Sequence, residues 1–121
     1  MKAHQGIDHL SLPEQTALQD FLGRLQQQFP RQILAVTLFG SRARGEAQAD
    51  SDVDLVVIIP QEDKNLCHAI RNVAADVSLE YGLYLSTRVW SLAHWQRLAE
   101  IKTGLYRGIQ SDGITLSLEI A

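Results

Sequence analysis

At 121 residues with 45% hydrophobic side chains, the chain suffices for one compact domain over residues 1–121 and is too short for two. Eleven Lys and Arg against fourteen Asp and Glu leave a net charge of −3. That balance argues against direct nucleic-acid binding by phosphate neutralisation, yet suits a nucleotide whose phosphates are screened by a metal cation.

Ser11-Leu12-Pro13-Glu14 has the makings of a helix start: a capping hydroxyl, proline in the first turn, and glutamate three residues after the cap. Leu18, Phe21, Leu22, Leu25 and Phe29 then recur at helical spacing and predict one buried stripe, ended by Pro30. Residues 33–39, Ile-Leu-Ala-Val-Thr-Leu-Phe, read as a buried strand closed by Gly40. A second strand is expected over Asp52 to Ile59, stopped by Pro60. Lys64 to Tyr81 predicts a helix, with Leu66, Ile70, Val73, Ala74, Val77 and Tyr81 on one face and Gly82 at its C-terminus.

Leu83 to Trp90 reads as a third strand, and Ser91 as the cap of a helix whose apolar side is Leu92, Trp95, Leu98 and Ala99. A short helix around Leu105 to Gln110 precedes an alternating strand from Ile114 to Ile120, a candidate open edge for pairing with another chain. A homodimer or heteromeric complex is therefore an expectation. The order of elements implies an α/β (α+β) domain, a small mixed sheet flanked by helices.

Other residues weigh less. Cys67, the sole cysteine, excludes an intramolecular disulfide and a cysteine zinc cluster, and reads as a small helix residue. His4, His9, His68 and His94 share no metal-ligand spacing, and Trp90 and Trp95 read as core before partner surface. The N-terminal MKAHQGIDHLSLPEQ lacks an apolar run of signal-peptide length, and no stretch reaches membrane-spanning length, so a cytoplasmic location without membrane contact is expected.

The chemistry concentrates between Gly40 and Asp54, in GSRARGEAQADSDVD. Glycine after a strand lets backbone approach a phosphate closely, and N–H groups at a following helix start can receive it. Ser41 adds a hydroxyl donor, and Arg42 and Arg44 add cationic donors. Asp52 and Asp54, two apart on a strand, project from one face. Adjacent carboxylates repel unless a cation lies between them, and Mg²⁺ held by one or two carboxylates plus substrate phosphates is the natural occupant.

Gly40-Ser41-Arg42-Ala43-Arg44-Gly45, the spacer, and Ser51-Asp52-Val53-Asp54-Leu55 resemble the signature of the minimal nucleotidyltransferases, in the DNA polymerase β-like nucleotidyltransferase superfamily. The likeness is specific over residues 33–59 and looser through the helix after Pro60 and residues 105–114. It implies the mixed sheet with flanking helices, ATP or another NTP as substrate, and Mg²⁺. Gly40, Ser41, Arg42 and Arg44 would bind the nucleotide, and Asp52 and Asp54 would hold metal and serve catalysis. Such proteins often pair, as antitoxins, with a HEPN-type toxin and can transfer AMP to a tyrosine hydroxyl of that partner.

Relatives usually carry a third carboxylate on a neighbouring strand. Residues 83–90 contain none; Ser86 stands among them, and the nearest acids, Asp76 and Glu80, lie upstream on the helix. A non-catalytic nucleotide-binding antitoxin or complex subunit is the alternative this opens. Transfer to a small molecule fits less well, since such enzymes usually need an additional helical domain.

Overall fold

The structure, a computed structural model, describes Ile7, residues 10–40, Ala43 and residues 52–116. The elements are α1 (Leu12–Gln28), β1 (Ala35–Phe39), β2 (Val53–Ile59), α2 (Lys64–Tyr81), β3 (Leu85–Ser91), α3 (Leu92–Ile101), α4 (Gly104–Asp112) and β4 (Ile114–Leu116). Helix α1 begins in the predicted capping box: Ser11 Oγ accepts from the Glu14 N–H, and the Glu14 carboxylate accepts from the Ser11 N–H. Asp63, which sequence reading passed over, caps α2 by accepting from the Leu66 N–H, and Gly82 ends that helix in the left-handed region at φ 66°.

The strands form one mixed sheet in the order β3-β2-β1-β4. β1 is antiparallel to β2 and to β4, whereas β2 and β3 are parallel and joined through α2 as a βαβ unit. The expected small mixed sheet flanked by helices is thus the observed architecture. β3 begins two residues later than predicted because Leu83 still belongs to the helix closure, donating its N–H to the Ser78 carbonyl. Ser78 Oγ also accepts from the Leu85 N–H, and Val53 donates to the Tyr84 carbonyl. These bonds fix where β3 starts beside the head of β2. The C-terminal strand is described only as far as Leu116 and lies at the edge, paired with β1; the remainder of the predicted run is outside the described residues.

The two sheet faces differ. Val36, Leu38, Val53, Leu55, Val57, Ile59, Leu85 and Val89 point toward α1 and α2 and join Leu18, Phe21, Leu22, Leu25, Ile70 and Val77 in the main core. Each such side chain stabilises the fold by about 1.5–3 kcal/mol relative to full exposure. On the other face a smaller cluster, Phe39, Val56, Ile58 and Ile109, packs with Ala35, Trp90 and Trp95 beneath α3 and α4. Both tryptophans are therefore partly buried packing residues. Helix α3 contributes no fully buried side chain, and Leu92, expected on its apolar side, is exposed.

An ion-pair cluster ties α1 to α2. Arg24 Nε donates to Asp20 at 2.9 Å, Arg24 Nη2 donates to Glu80 at 2.7 Å, and the Tyr81 hydroxyl donates to Asp20 at 2.8 Å. Arg24's hydrogen bond holds the Asp20 carboxyl below its ordinary range despite some burial, with Tyr81 acting in the same direction. A depressed carboxylate pKa contributes stability above the unfolded value of 3.8 and loses it as pH falls through the folded value. Asp20→Asn should accordingly cost about 1 kcal/mol at pH 7. Urea midpoints of variant and wild type should draw together as the pH falls below 3.8 and through the lower folded value; a difference that stays unchanged across that fall would assign the effect to packing.

Candidate active site

The register of β1 on β2 sets Phe39 opposite Asp54, and the chain then turns at Gly40 with φ 78°. A Cβ built on Gly40 would collide with Asp54 Oδ2, with the Asp54 Cγ and Cβ 3.3 and 3.4 Å away. Glycine is required here twice over, for the positive φ and for the space the carboxylate occupies. Asp54 is half-buried; Asp52, one residue before β2, is exposed. Alternation places Asp54 on the sheet face with Val56 and Ile58, away from α1 and α2.

On the other side of Asp54 the parallel register brings in Ser86, and Arg88 stands opposite Val56. Paired residues in a sheet share a face, so Ser86 and Arg88 flank the carboxylate from β3. The Arg88 guanidinium also lies 5.6 Å from the centroid of the Phe39 ring. Burial pushes the Asp54 carboxyl above its ordinary range; Arg88 pulls it down, and the neighbouring Asp52 charge raises it further. The same face continues into a hollow of about 320 Å³ walled by Thr37, Val56, Ile58, Trp95, Ile109 and Gln110.

Among the described residues, then, Gly40 lies against Asp54, and Asp52 stands two residues before it, close enough to raise its carboxyl. Ser41, Arg42 and Arg44 fall outside those residues. Arg88 and Phe39 complete the neighbourhood without having been expected. Their signal was the strand register, which no local pattern discloses. The two upstream acids do not join the site: Glu80 is engaged by Arg24, and Asp76 is exposed on α2, the helix packed against the opposite sheet face. No group of three or more His, Cys, Asp or Glu side chains able to hold a metal occurs among the described residues. The donor set offered is two carboxylates, one partly desolvated against a glycine. That suits a hard cation whose other ligands are waters and substrate phosphates.

The profile of the nucleotidyltransferase domain family matches residues 18–105. Two relatives are putative protein adenylyltransferases of Methanocaldococcus jannaschii. MJ1305 is 35% identical over 57% of this chain and 49% of its own length. MJ0604 is 25% identical over 85% of this chain and 97% of its own length. The chain thus spans about half of the first relative and nearly all of the second. Among solved structures, a chain of a mutant of the toxin–antitoxin MntA–HpeT superposes with TM-score 0.54 and 18% identity, covering 88% of this chain and 73% of that one. A putative nucleotidyltransferase from Sulfolobus solfataricus gives 0.51 and 16%, with 83% and 76% covered. These two likenesses bear on the fold alone.

Proposed function

As a member of the nucleotidyltransferase domain family, this chain is, we propose, a Mg²⁺-dependent enzyme that transfers AMP from ATP to a hydroxyl of a partner protein. The partner we infer is a HEPN-type toxin, so that the transfer makes this chain an antitoxin, acting in the cytoplasm as a single domain. The observation that carries the reading is the seating of Asp54 against Gly40, with Asp52 beside it. That arrangement holds two carboxylates where the family motif would hold metal and nucleotide. The names of the M. jannaschii relatives support a protein as the acceptor.

In this reaction the acceptor oxygen attacks the α-phosphorus, the bond to the β-phosphate oxygen breaks, and pyrophosphate leaves. Asp52 and Asp54 would hold Mg²⁺, which when bound neutralises charge on the reacting phosphates. Gly40 and Ser41 would receive the triphosphate, with Arg42 and Arg44 adding positive charge. Arg88, beside Asp54, offsets part of the carboxylate repulsion. β3 brings no acid, so the acceptor's proton has to pass to a base outside that strand. The test is labelled ATP and Mg²⁺ with the protein encoded beside this chain. Label on that protein, dependent on Asp52 and Asp54, supports the enzyme. No label, with toxin neutralisation surviving Asp52→Asn/Asp54→Asn, overturns it.

The absence of an acid from β3 favours a second reading, a nucleotide-binding antitoxin subunit with little turnover. Ser86 stands directly beside Asp54, so Ser86→Asp places a carboxylate where a general base would act. We expect that substitution to raise labelling of the partner at least about tenfold, within the range a positioned base supplies. It should also lower the melting temperature without divalent cation, because a third like charge is added. Unchanged labelling at saturating Mg·ATP would show that proton removal is not what limits the rate.

A further inference from the structure

The sheet end remote from Asp52 and Asp54 carries a second concavity. A cleft of about 520 Å³ opens where the parallel strands β2 and β3 finish, at Ile59 and at Val89, Trp90 and Ser91. The strands rise about 3.3 Å per residue, so the cleft is roughly 20 Å from the carboxylates at their heads. Its walls are the N-terminal portions of α2 and α3, which supply Lys64, His68 and Arg71 from one side and His94 and Arg97 from the other. Glu62 is the one acid on its lining.

This charge distribution runs against the chain as a whole, whose net charge is −3. Arg24 meets two carboxylates. By contrast, among the described residues no carboxylate lies within ion-pair distance of Lys64, Arg71 or Arg97. The helix geometry adds to the cations. α2 and α3 both begin at this cleft, and neither carries an acidic side chain in its first turn. Asp63 and Ser91 cap them by accepting from the Leu66 and His94 N–H groups, and the Asp63 carboxylate offsets part of the charge at the start of α2; the remaining N–H groups of the two first turns add partial positive charge on the same side. Trp90, with the His94 ring 5.2 Å away, supplies a flat apolar wall.

We propose that this cleft is a binding site for a phosphate ester of a small molecule, separate from the metal and nucleotide site. The volume lies within the range of small-ligand pockets. Arg71 and Arg97, approaching from two helices, form the fork that receives phosphate oxygens; Lys64 adds a point charge, and the imidazoles of His68 and His94 add donors. The site stands on its own cavity and charges, so it holds whether or not the chain transfers nucleotides.

Trp90 is the reporter. In a Trp95→Phe background, we would titrate inorganic phosphate and then AMP without divalent cation, against chloride of equal ionic strength. The expected result is a saturable change in Trp90 fluorescence that persists in Asp52→Asn/Asp54→Asn and weakens at least about tenfold in Arg71→Gln/Arg97→Gln. Arg71 and Arg97 are both exposed, and circular dichroism checks that the fold is kept. A response equal to that of chloride, one insensitive to Arg71→Gln/Arg97→Gln, or one lost with the aspartates would overturn the proposal. So would saturable binding of a glutamate-rich peptide with no response to phosphate or AMP.

Discussion

Gly40→Ala should destabilise the protein and abolish nucleotide transfer together. At φ 78° a side chain costs about 1–2 kcal/mol by itself, and here the added methyl also occupies the position of Asp54 Oδ2. We expect a loss of about 2–3 kcal/mol in urea unfolding, and a displaced carboxylate that no longer faces its neighbour Asp52. A double-mutant cycle separates the two effects. In Asp54→Ala the nearest remaining atom is the Cβ at 3.4 Å, an ordinary contact, so Gly40→Ala should cost about 1 kcal/mol less there than in wild type. Equal costs in both backgrounds would mean that backbone strain alone explains the glycine.

Asp54→Asn should separate stability from activity. Burial raises the Asp54 carboxyl, so the folded chain binds its proton more readily than the unfolded chain does. Stability from this group is therefore greatest below the unfolded value of 3.8 and declines as pH rises through the folded value. At neutral pH without divalent cation, the asparagine variant should melt at or above the wild-type temperature. Mg²⁺ at ten times its dissociation constant should stabilise wild type by about 1.4 kcal/mol, a few degrees, and leave the variant unmoved. Transfer should fall about a thousandfold, equivalent to about 4 kcal/mol of transition-state stabilisation. A variant that melts lower than wild type in the absence of cation would contradict the desolvated-carboxylate account. An equal Mg²⁺ response in both proteins would remove Asp54 from the metal site.

Features written locally in the chain were legible before the fold was known. Ser11 with Glu14, Gly82 after a long amphipathic run, and the apolar stripe of Leu18, Phe21, Leu22 and Leu25 each act within a few residues, and all appear where expected. The turn glycine after β1 and the acid at the head of β2 are local patterns too, but the contact of Gly40 with Asp54 follows from the pairing of the two strands. What escaped depends on register. Arg88 meets the Asp54 neighbourhood only because the closure of α2, through Ser78, Leu83 and Leu85, places Ser86 beside Asp54. A one-residue slip would turn Arg88 to the other face. The cationic cleft escaped because Lys64, Arg71 and Arg97 belong to two helices that converge only after β2 and β3 pair in parallel. The underestimate of exposure on α3 is of the same kind. Leu92, Trp95 and Leu98 have helical spacing, but the sheet beneath offers them only the small patch around Val56 and Ile58.

That shallow seating has a consequence for how the molecule opens. The α1–α2 layer is locked by a continuous core and by the cluster of Arg24, Asp20, Glu80 and Tyr81, so separating it from the sheet amounts to global unfolding. α3 has no fully buried side chain to lose. Its release from the sheet is a sub-global opening of low free energy, and it would bare Val56 and Ile58 on the face that carries Asp54. The face on which we propose the chemistry is thus also the one the fold can uncover without coming apart.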